Sequence, residues 1–412
     1  MTPTTKTWRL CAHQVREFPA DPDQVAAALE MAPLLQVEST HRGRVRVRTG
    51  GVVGAMVRGG LRVEVRPRHM SRAVTLGLVL GSSGLDAHLL PADQAPDDDL
   101  LRLVALAFLG AAQRLFQRGL RRDYREAIVR ADPWRGEVDL ERWHGPRSPE
   151  GGMHPWCRVR ERTVDLPEHR LLHAALRRLS RAEVLDVALR QRAAALATRL
   201  DDVPCQAPPK SVWPRLRREG LFAPYAPALG LAEVVLDGLL GENLEGGAEG
   251  RGFLLDLDRL FERWLATELS RLAPEGWRVE AQESTSISSP ALQRHLDVAV
   301  HDPAGALVAI LDAKNKSFAE GVPARNDVHQ VVTYMATQGC RLGVLVGIRP
   351  GNELPPKEYR LRGEVGRLHV VGLPGMEGMG EMAAGLAVWC GMHLGRGWAR
   401  RGGLWERQLR LG

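Results

Sequence analysis

The stretch HLDVAVHDPAGALVAILDAKNK, residues 295–316, decides the fold. HLDVAVHD and ALVAILDAK within it are short runs rich in Val, Ile and Leu, and they read as two strands. Downstream, NDVHQVVTYMATQG (326–339) reads as a helix, RLGVLVGI (341–348) as a third, buried strand and RLHVVGL (367–373) as a fourth. Upstream, FLLDLDRLFERWLATELSRL (253–272) has the period of an amphipathic helix. The order helix–strand–strand–helix–strand predicts an α/β arrangement, a mixed central sheet flanked by helices.

Charged residues close the two central strands. Asp297 sits in or near the end of the first, and Asp312 and Lys314 at the end of the second. Side chains two apart in a strand share a face, so Asp312 and Lys314 are expected to point one way and Ala313 into the core. An ionised carboxylate is costly to bury without a partner, and a divalent metal ion would supply one. Hard Mg²⁺ takes carboxylate and carbonyl oxygens and keeps waters. Asp297, Asp312 and the Ala313 carbonyl are the expected ligands. Lys314 would orient or deprotonate an attacking water and offset charge on a phosphorane. Glu262, in the preceding helix, would add a ligand directly or through water. Gln330 and Tyr334 lie four apart on the following helix and share a face, where they would position the water or a nucleic-acid backbone.

With the DAK triplet at 312–314 and QVVTY at 330–334, this part of the chain resembles the PD-(D/E)xK nuclease superfamily, with Leu296 in the place of the motif's Pro. More narrowly, the chain resembles the McrC family, the nuclease subunit of the McrBC modification-dependent restriction system. The stretches that carry this are GLRVEVRPR (60–68), RRDYREAIVRADPWRGEVDL (121–140), DLPEHRLLHAALRRL (165–179), LLDLDRLFERWL (254–265) and the nuclease motifs. His169 and Asn315 depart from residues common in relatives. The resemblance implies a Mg²⁺-dependent DNA endonuclease, with Mn²⁺ as a substitute, that hydrolyses phosphodiester bonds in double-stranded, possibly modified DNA. It also implies an AAA+ GTPase or ATPase ring like McrB as partner, whose hydrolysis this subunit stimulates through its N-terminal part. A stand-alone repair nuclease of the same superfamily is one alternative. A non-catalytic subunit that binds DNA or regulates the ring is another.

The rest of the 412 residues is organised differently. VRVRTGGVVGAMVRGGLRVEVRPRHM (45–70) alternates apolar and basic residues around Gly pairs, which signals hairpins with one wet face. That face carries Arg44, Arg46, Arg48, Arg62, Arg66 and Arg68, as either a solvated surface or a binding one. Asp97, Asp98 and Asp99 precede a helix that contains the apolar run LVALAFLGAA from Leu103, too short to span a bilayer. A second helix is expected from His169 to Ala197 and a third from Leu231 to Leu240, with breakers at 208–210 and 223–230 and a Gly/Glu joint at 241–252. Three parts are thus expected: a β-rich partner-docking domain to residue 95, a mainly helical middle to 250, and the nuclease domain from 251 to 412. The last should stay folded when the first is deleted.

Composition agrees with a polyanion partner. The formal net charge is +7 and the pI about 9.5, with Arg as the main cation. The five cysteines are scattered, with no CxxC pair, which argues against a disulfide framework or a structural zinc site. The N-terminus shows no apolar signal segment, so a cytoplasmic protein is expected. GGVVGAMVRGG (50–60) lacks the Lys-Ser/Thr of a nucleotide-binding loop.

Overall fold

The computed structural model describes residues 6–31, 35–40, 43–82, 100–130, 135–140, 156–238, 252–285, 294–318, 323–349, 357–361, 366–375, 378–395 and 397–398. The acidic triplet at 97–99, the joint at 241–251, and the chain after Trp398 lie outside them.

The N-terminal part builds two small sheets from β1 (Lys6–Cys11), β2 (Val15–Pro19), β3 (Gln36–Thr40), β4 (Arg44–Arg48), β5 (Val52–Arg58) and β6 (Leu61–Arg66), with α1 (Pro22–Leu29) beside them. One sheet has the order β2-β4-β3. The alternation of β4 resolves as expected, with Val45 and Val47 buried and the arginines between them outside. Two of those arginines are answered across the strands, Arg44 and Arg46 by Glu17 and Arg46 also by Glu38, while Arg66 of β6 meets Glu64 two residues back on its own strand. The core beneath includes Trp8 stacked on Phe18, ring centroids 4.8 Å apart.

The middle part is less helical than expected. α2 (Arg72–Ser82) and α3 (Leu100–Gln117) lead into β7 (Asp123–Arg130), β8 (Glu137–Val138) and β9 (Trp156–Thr163). These three strands form a separate sheet of order β7-β9-β8 over a small core of Cys157, Val159, Val129 and Val138. α3 is long and apolar enough to cross a membrane by length and composition, but Leu101, Val104, Phe108, Leu109 and Leu115 on it are buried in the protein core. The helix expected over His169–Ala197 is two: α4 (Pro167–Arg181) and α5 (Val187–Ala197). The break has a cause, since Asp186 leaves the helical conformation and caps α5 by accepting from the Leu189 amide at 2.9 Å. Around the breakers at 208–210 and 223–230 lie two 3₁₀ turns, Lys210–Arg215 and Gly220–Tyr225, but the second breaker is overrun from Ala226, where α6 (Ala226–Gly238) starts five residues before the expected Leu231.

FLLD, expected as helix, is the strand β10 (Gly252–Asp256), and α7 (Leu257–Leu272) follows it. β10 pairs antiparallel with β5, completing a sheet of order β1-β6-β5-β10. A residue range assigned to the third part thus closes the sheet of the first. α2 also packs on α7, with Gly81 against Trp264, where a Cβ would come within 2.8 Å of the indole.

The C-terminal sheet has six strands in the order β11-β12-β13-β14-β16-β15. They are β11 (Arg278–Thr285), β12 (Arg294–His301), β13 (Leu307–Ser317), β14 (Leu342–Arg349), β15 (Lys357–Leu361) and β16 (Gly366–Pro374). β13, β14 and β16 run parallel and the outer pairs antiparallel, so the sheet is mixed, as expected. α8 (Arg325–Gln338) packs Val331 and Met335 on Leu345, Leu368 and Val370 of one face. Val344, Val346 and Leu311, facing the other way, join the main core with α7 and α9 (Met379–His393). That core is continuous from Ala12 to Trp398.

Candidate active site

The register brings the expected acids together. Val298 of β12 pairs with Leu311 of β13, so Asp297 and Asp312 stand opposite each other one step further on. There the Ala313 amide donates to Asp297 Oδ2 at 2.9 Å. β13 follows β14 through Ala313 and then shifts register before Ser317, and Lys314 sits on this irregular segment. Its Nζ lies 2.8 Å from Asp312 Oδ2. Asp312 and Lys314 therefore do share a side, and Ala313 is buried in the main core.

α8 supplies a supporting chain. Lys314 Nζ donates to Gln330 Oε1 at 3.4 Å, and Gln330 Nε2 donates to the Tyr334 hydroxyl at 3.3 Å. Tyr334 is buried against Ile310 and Cys340, so the aromatic ring anchors the relay from below. Lys316, one strand position beyond the site, is committed elsewhere. It pairs with the buried Asp327 at 3.0 Å.

The electrostatics are those of a site short of positive charge. Asp312 is 1% exposed, and its two oxygens accept no well-directed hydrogen bond. Burial, then the charge of Asp297, pushes its pKa up to about 7, against the pull of Lys314. Burial, then the charge of Glu262, lifts Asp297 to about 6. Lys314 is raised as well: burial works against its charge, but Asp312 and Asp297 outweigh it. A buried carboxylate without donors beside a half-buried one is the kind of oxygen set that a hard divalent cation accepts.

Glu262 occupies a different place. Its charge reaches Asp297, and the two residues line one cleft of about 370 Å³. Among the described residues, however, no three His, Cys, Asp or Glu side chains converge as a ligand cluster. Glu262 thus stands beside the Asp297–Asp312 pair and does not complete a three-carboxylate cage with it.

The same cleft holds residues that were not singled out in the sequence. Arg259 and Arg263 flank Glu262 on α7, and Lys210, Trp213, Arg218, Glu233 and Asp237 line the cleft from the middle part, where Arg263 comes within 3.9 Å of Glu233. The i, i+3, i+4 spacing of Arg259, Glu262 and Arg263 carried a usable signal. Nothing local marked the other wall, which reaches the site only through tertiary packing.

A family model described as McrBC 5-methylcytosine restriction system component matches residues 47–346, which include every expected site residue. No curated protein matches. One similar solved structure is the refined half-complex from a tetradecameric assembly of Thermococcus gammatolerans McrB AAA+ hexamers with bound McrC. The TM-score is 0.53 at 16% identity, over 90% of this chain and 95% of that one. The cryo-EM structure of the Thermococcus gammatolerans McrBC complex matches with a TM-score of 0.42 at 16% identity, over 65% of this chain and 88% of that one.

Proposed function

This chain belongs to the McrBC 5-methylcytosine restriction system component family, and from that membership we propose that it is the subunit that cuts DNA. The observation that carries the reading is the pair of the buried Asp312 and the half-buried Asp297, with Lys314 2.8 Å from Asp312. Asp297, Asp312 and the Ala313 carbonyl would hold Mg²⁺, or Mn²⁺ in its place, whose chemistry is to polarise a phosphoryl oxygen and lower the pKa of water. Glu262 would act at one remove, through water or through its charge on Asp297.

The chain's own groups divide the remaining work. Lys314, held protonated by its two acids, is a hydrogen-bond donor aimed beside them, suited to orient water and to offset charge on the phosphorane. With Asp312 and Asp297 engaged as ligands, the pKa of Lys314 would fall, and once its proton has gone to solvent the neutral amine could take one from the attacking water. Gln330 fixes the Lys314 head group, and Tyr334 fixes Gln330. Such supporting groups set the geometry that hydrolysis needs.

By likeness to the McrB–McrC assembly, the partner is a McrB-like AAA+ GTPase or ATPase ring that recognises and moves double-stranded DNA, modified or not. The N-terminal part is the proposed docking segment, through which this subunit stimulates the ring. The test is Mg²⁺-dependent cleavage by the chain mixed with its ring and nucleotide. Asp312→Ala should abolish cleavage in a protein that still melts cooperatively, and a variant that cuts at the wild-type rate would remove the site assignment. Efficient cutting by this chain alone would instead favour a stand-alone nuclease.

A further inference from the structure

α4 buries two histidines one turn apart, His169 and His173, and each ties down a different stretch of backbone. His169 Nδ1 lies 2.5 Å from the Val164 carbonyl. A carbonyl only accepts, so Nδ1 carries the ring proton, and Nε2 accepts from the Tyr225 hydroxyl at 2.9 Å. That hydroxyl in turn accepts from the Arg121 amide at 2.8 Å. His173 Nδ1 donates to the Val203 carbonyl at 2.7 Å, and the Val203 amide donates to the Leu200 carbonyl at 2.8 Å. Three stretches are thus fixed where they meet: the entry to β7, the exit from β9, and the 3₁₀ turn Thr198–Leu200 with the loop after it.

Between them lies a cleft of about 320 Å³ that shares no residue with the one beside Asp297. Phe116, Leu200 and Val203 line it but are themselves buried, so the surface a ligand meets is polar. That surface is Arg122, Arg199 and Asp202, all exposed. None of the three makes an ion pair or a side-chain hydrogen bond among the described residues. Their neighbours are answered, Asp201 by Arg177 at 3.5 Å and Arg125 by Asp165 at 3.0 Å.

This charge selects a ligand. Two guanidinium groups against one carboxylate leave a single positive charge in the cleft. Guanidinium presents a planar fork of donors that matches phosphate oxygens. A phosphodiester carries one negative charge and closes the balance. A phosphate monoester carries about −1.5 to −2 at pH 7 and would bring an excess against Asp202. We propose that this cleft seats one phosphodiester of a nucleic-acid backbone, held by Arg122 and Arg199 together, with Asp202 set against free phosphate and monoesters. The seat is separate from the proposed cutting centre and does not depend on it, since a chain that cut nothing would hold the backbone equally. It carries no sequence information.

The experiment is fluorescence anisotropy of the full chain with a labelled DNA oligonucleotide, in EDTA and over a range of KCl. Cleavage plays no part in this readout, so failure of the seat and failure of the nuclease reading are distinct results. Losing one phosphate contact lowers the slope of log affinity against log salt by about 1. Arg122→Ala and Arg199→Ala should each weaken binding, and the double variant should lose about 1 in slope, because both arginines serve one phosphate. Arg102→Ala, outside the cleft, should keep the wild-type slope. A double variant with the wild-type slope would overturn the proposal. So would a loss of about 2, the mark of two phosphates on a diffuse basic surface, and so would a wild-type chain that binds no oligonucleotide. Asp202→Asn should make inorganic phosphate, at matched ionic strength, about fivefold more effective as a competitor, the worth of one charge at contact in water. Competition left at the wild-type level would overturn the selection for a diester.

Discussion

Without a metal, Asp312 and Asp297 hold protons up to about pH 7 and 6, whereas in the unfolded chain both ionise near 3.9. The native state therefore binds more protons than the unfolded state between about pH 4 and 7. Its stability falls as pH rises through that window. Melting of the metal-free protein, taken as wild type minus Asp312→Asn, should drop from pH 4.5 to 7.5. The subtraction removes groups such as His169, whose lowered pKa acts in the opposite direction. Mn²⁺ should raise the melting temperature more at pH 8 than at pH 5.5, because it need not displace a proton there. Equal shifts at the two pH values would count against a metal between these acids. Gln330→Ala should cut activity about 10- to 100-fold, the usual cost of losing a supporting partner. Single-turnover rates would show it. These residues were legible because strand and helix periods fix which side chains share a face: 312 with 314, 330 with 334. Glu262 was legible as a neighbour of Asp297, but whether it would act directly or through water was not, since the distance between a helix and a strand pair is not written in spacing.

At the level of elements, the sequence misled where partners are far apart. FLLD runs without a break into a helical pattern, and only pairing with β5 makes it a strand. Edge strands β11 and β15 were not expected, because their polar sequences lack the apolar run of the central strands. Gly54 explains how β5 and β10 fit. Its φ is +137°, and a Cβ there would lie 2.0 Å from the Phe253 carbonyl oxygen. Gly54→Ala should destabilise the protein by about 1–3 kcal/mol, as overpacking and a left-sided backbone both resist it. Urea unfolding would measure this, and a wild-type midpoint would show that β10 does not depend on that close approach.

Across the whole molecule, the expected independence of the C-terminal part does not survive the β5–β10 pairing and the packing of α2 on α7. Deleting residues 1–95 strips β10 of its ladder and exposes the Trp264 side of α7. The truncated chain is expected to lose cooperative melting, where an independent domain would keep it. Point variants are therefore the cleaner way to separate roles. Lys314→Ala should lose cleavage yet still stimulate nucleotide hydrolysis by the ring, and loss of stimulation in a folded Lys314→Ala protein would refute the division of labour.

The strand that joins the two ends of the molecule also dictates when it can be finished. β5 ends at Arg58 and its neighbour begins at Gly252. At about 5–20 residues per second, a ribosome needs on the order of 10–40 s to cover that interval. Throughout it the nascent sheet carries a bare edge, the kind of surface that invites pairing with a stranger. The late strand closes that edge just as α7, the helix that carries Glu262, follows it from the ribosome. A newborn chain thus completes its N-terminal sheet and begins its proposed cutting centre in the same act, and chaperone demand should concentrate in the interval before it.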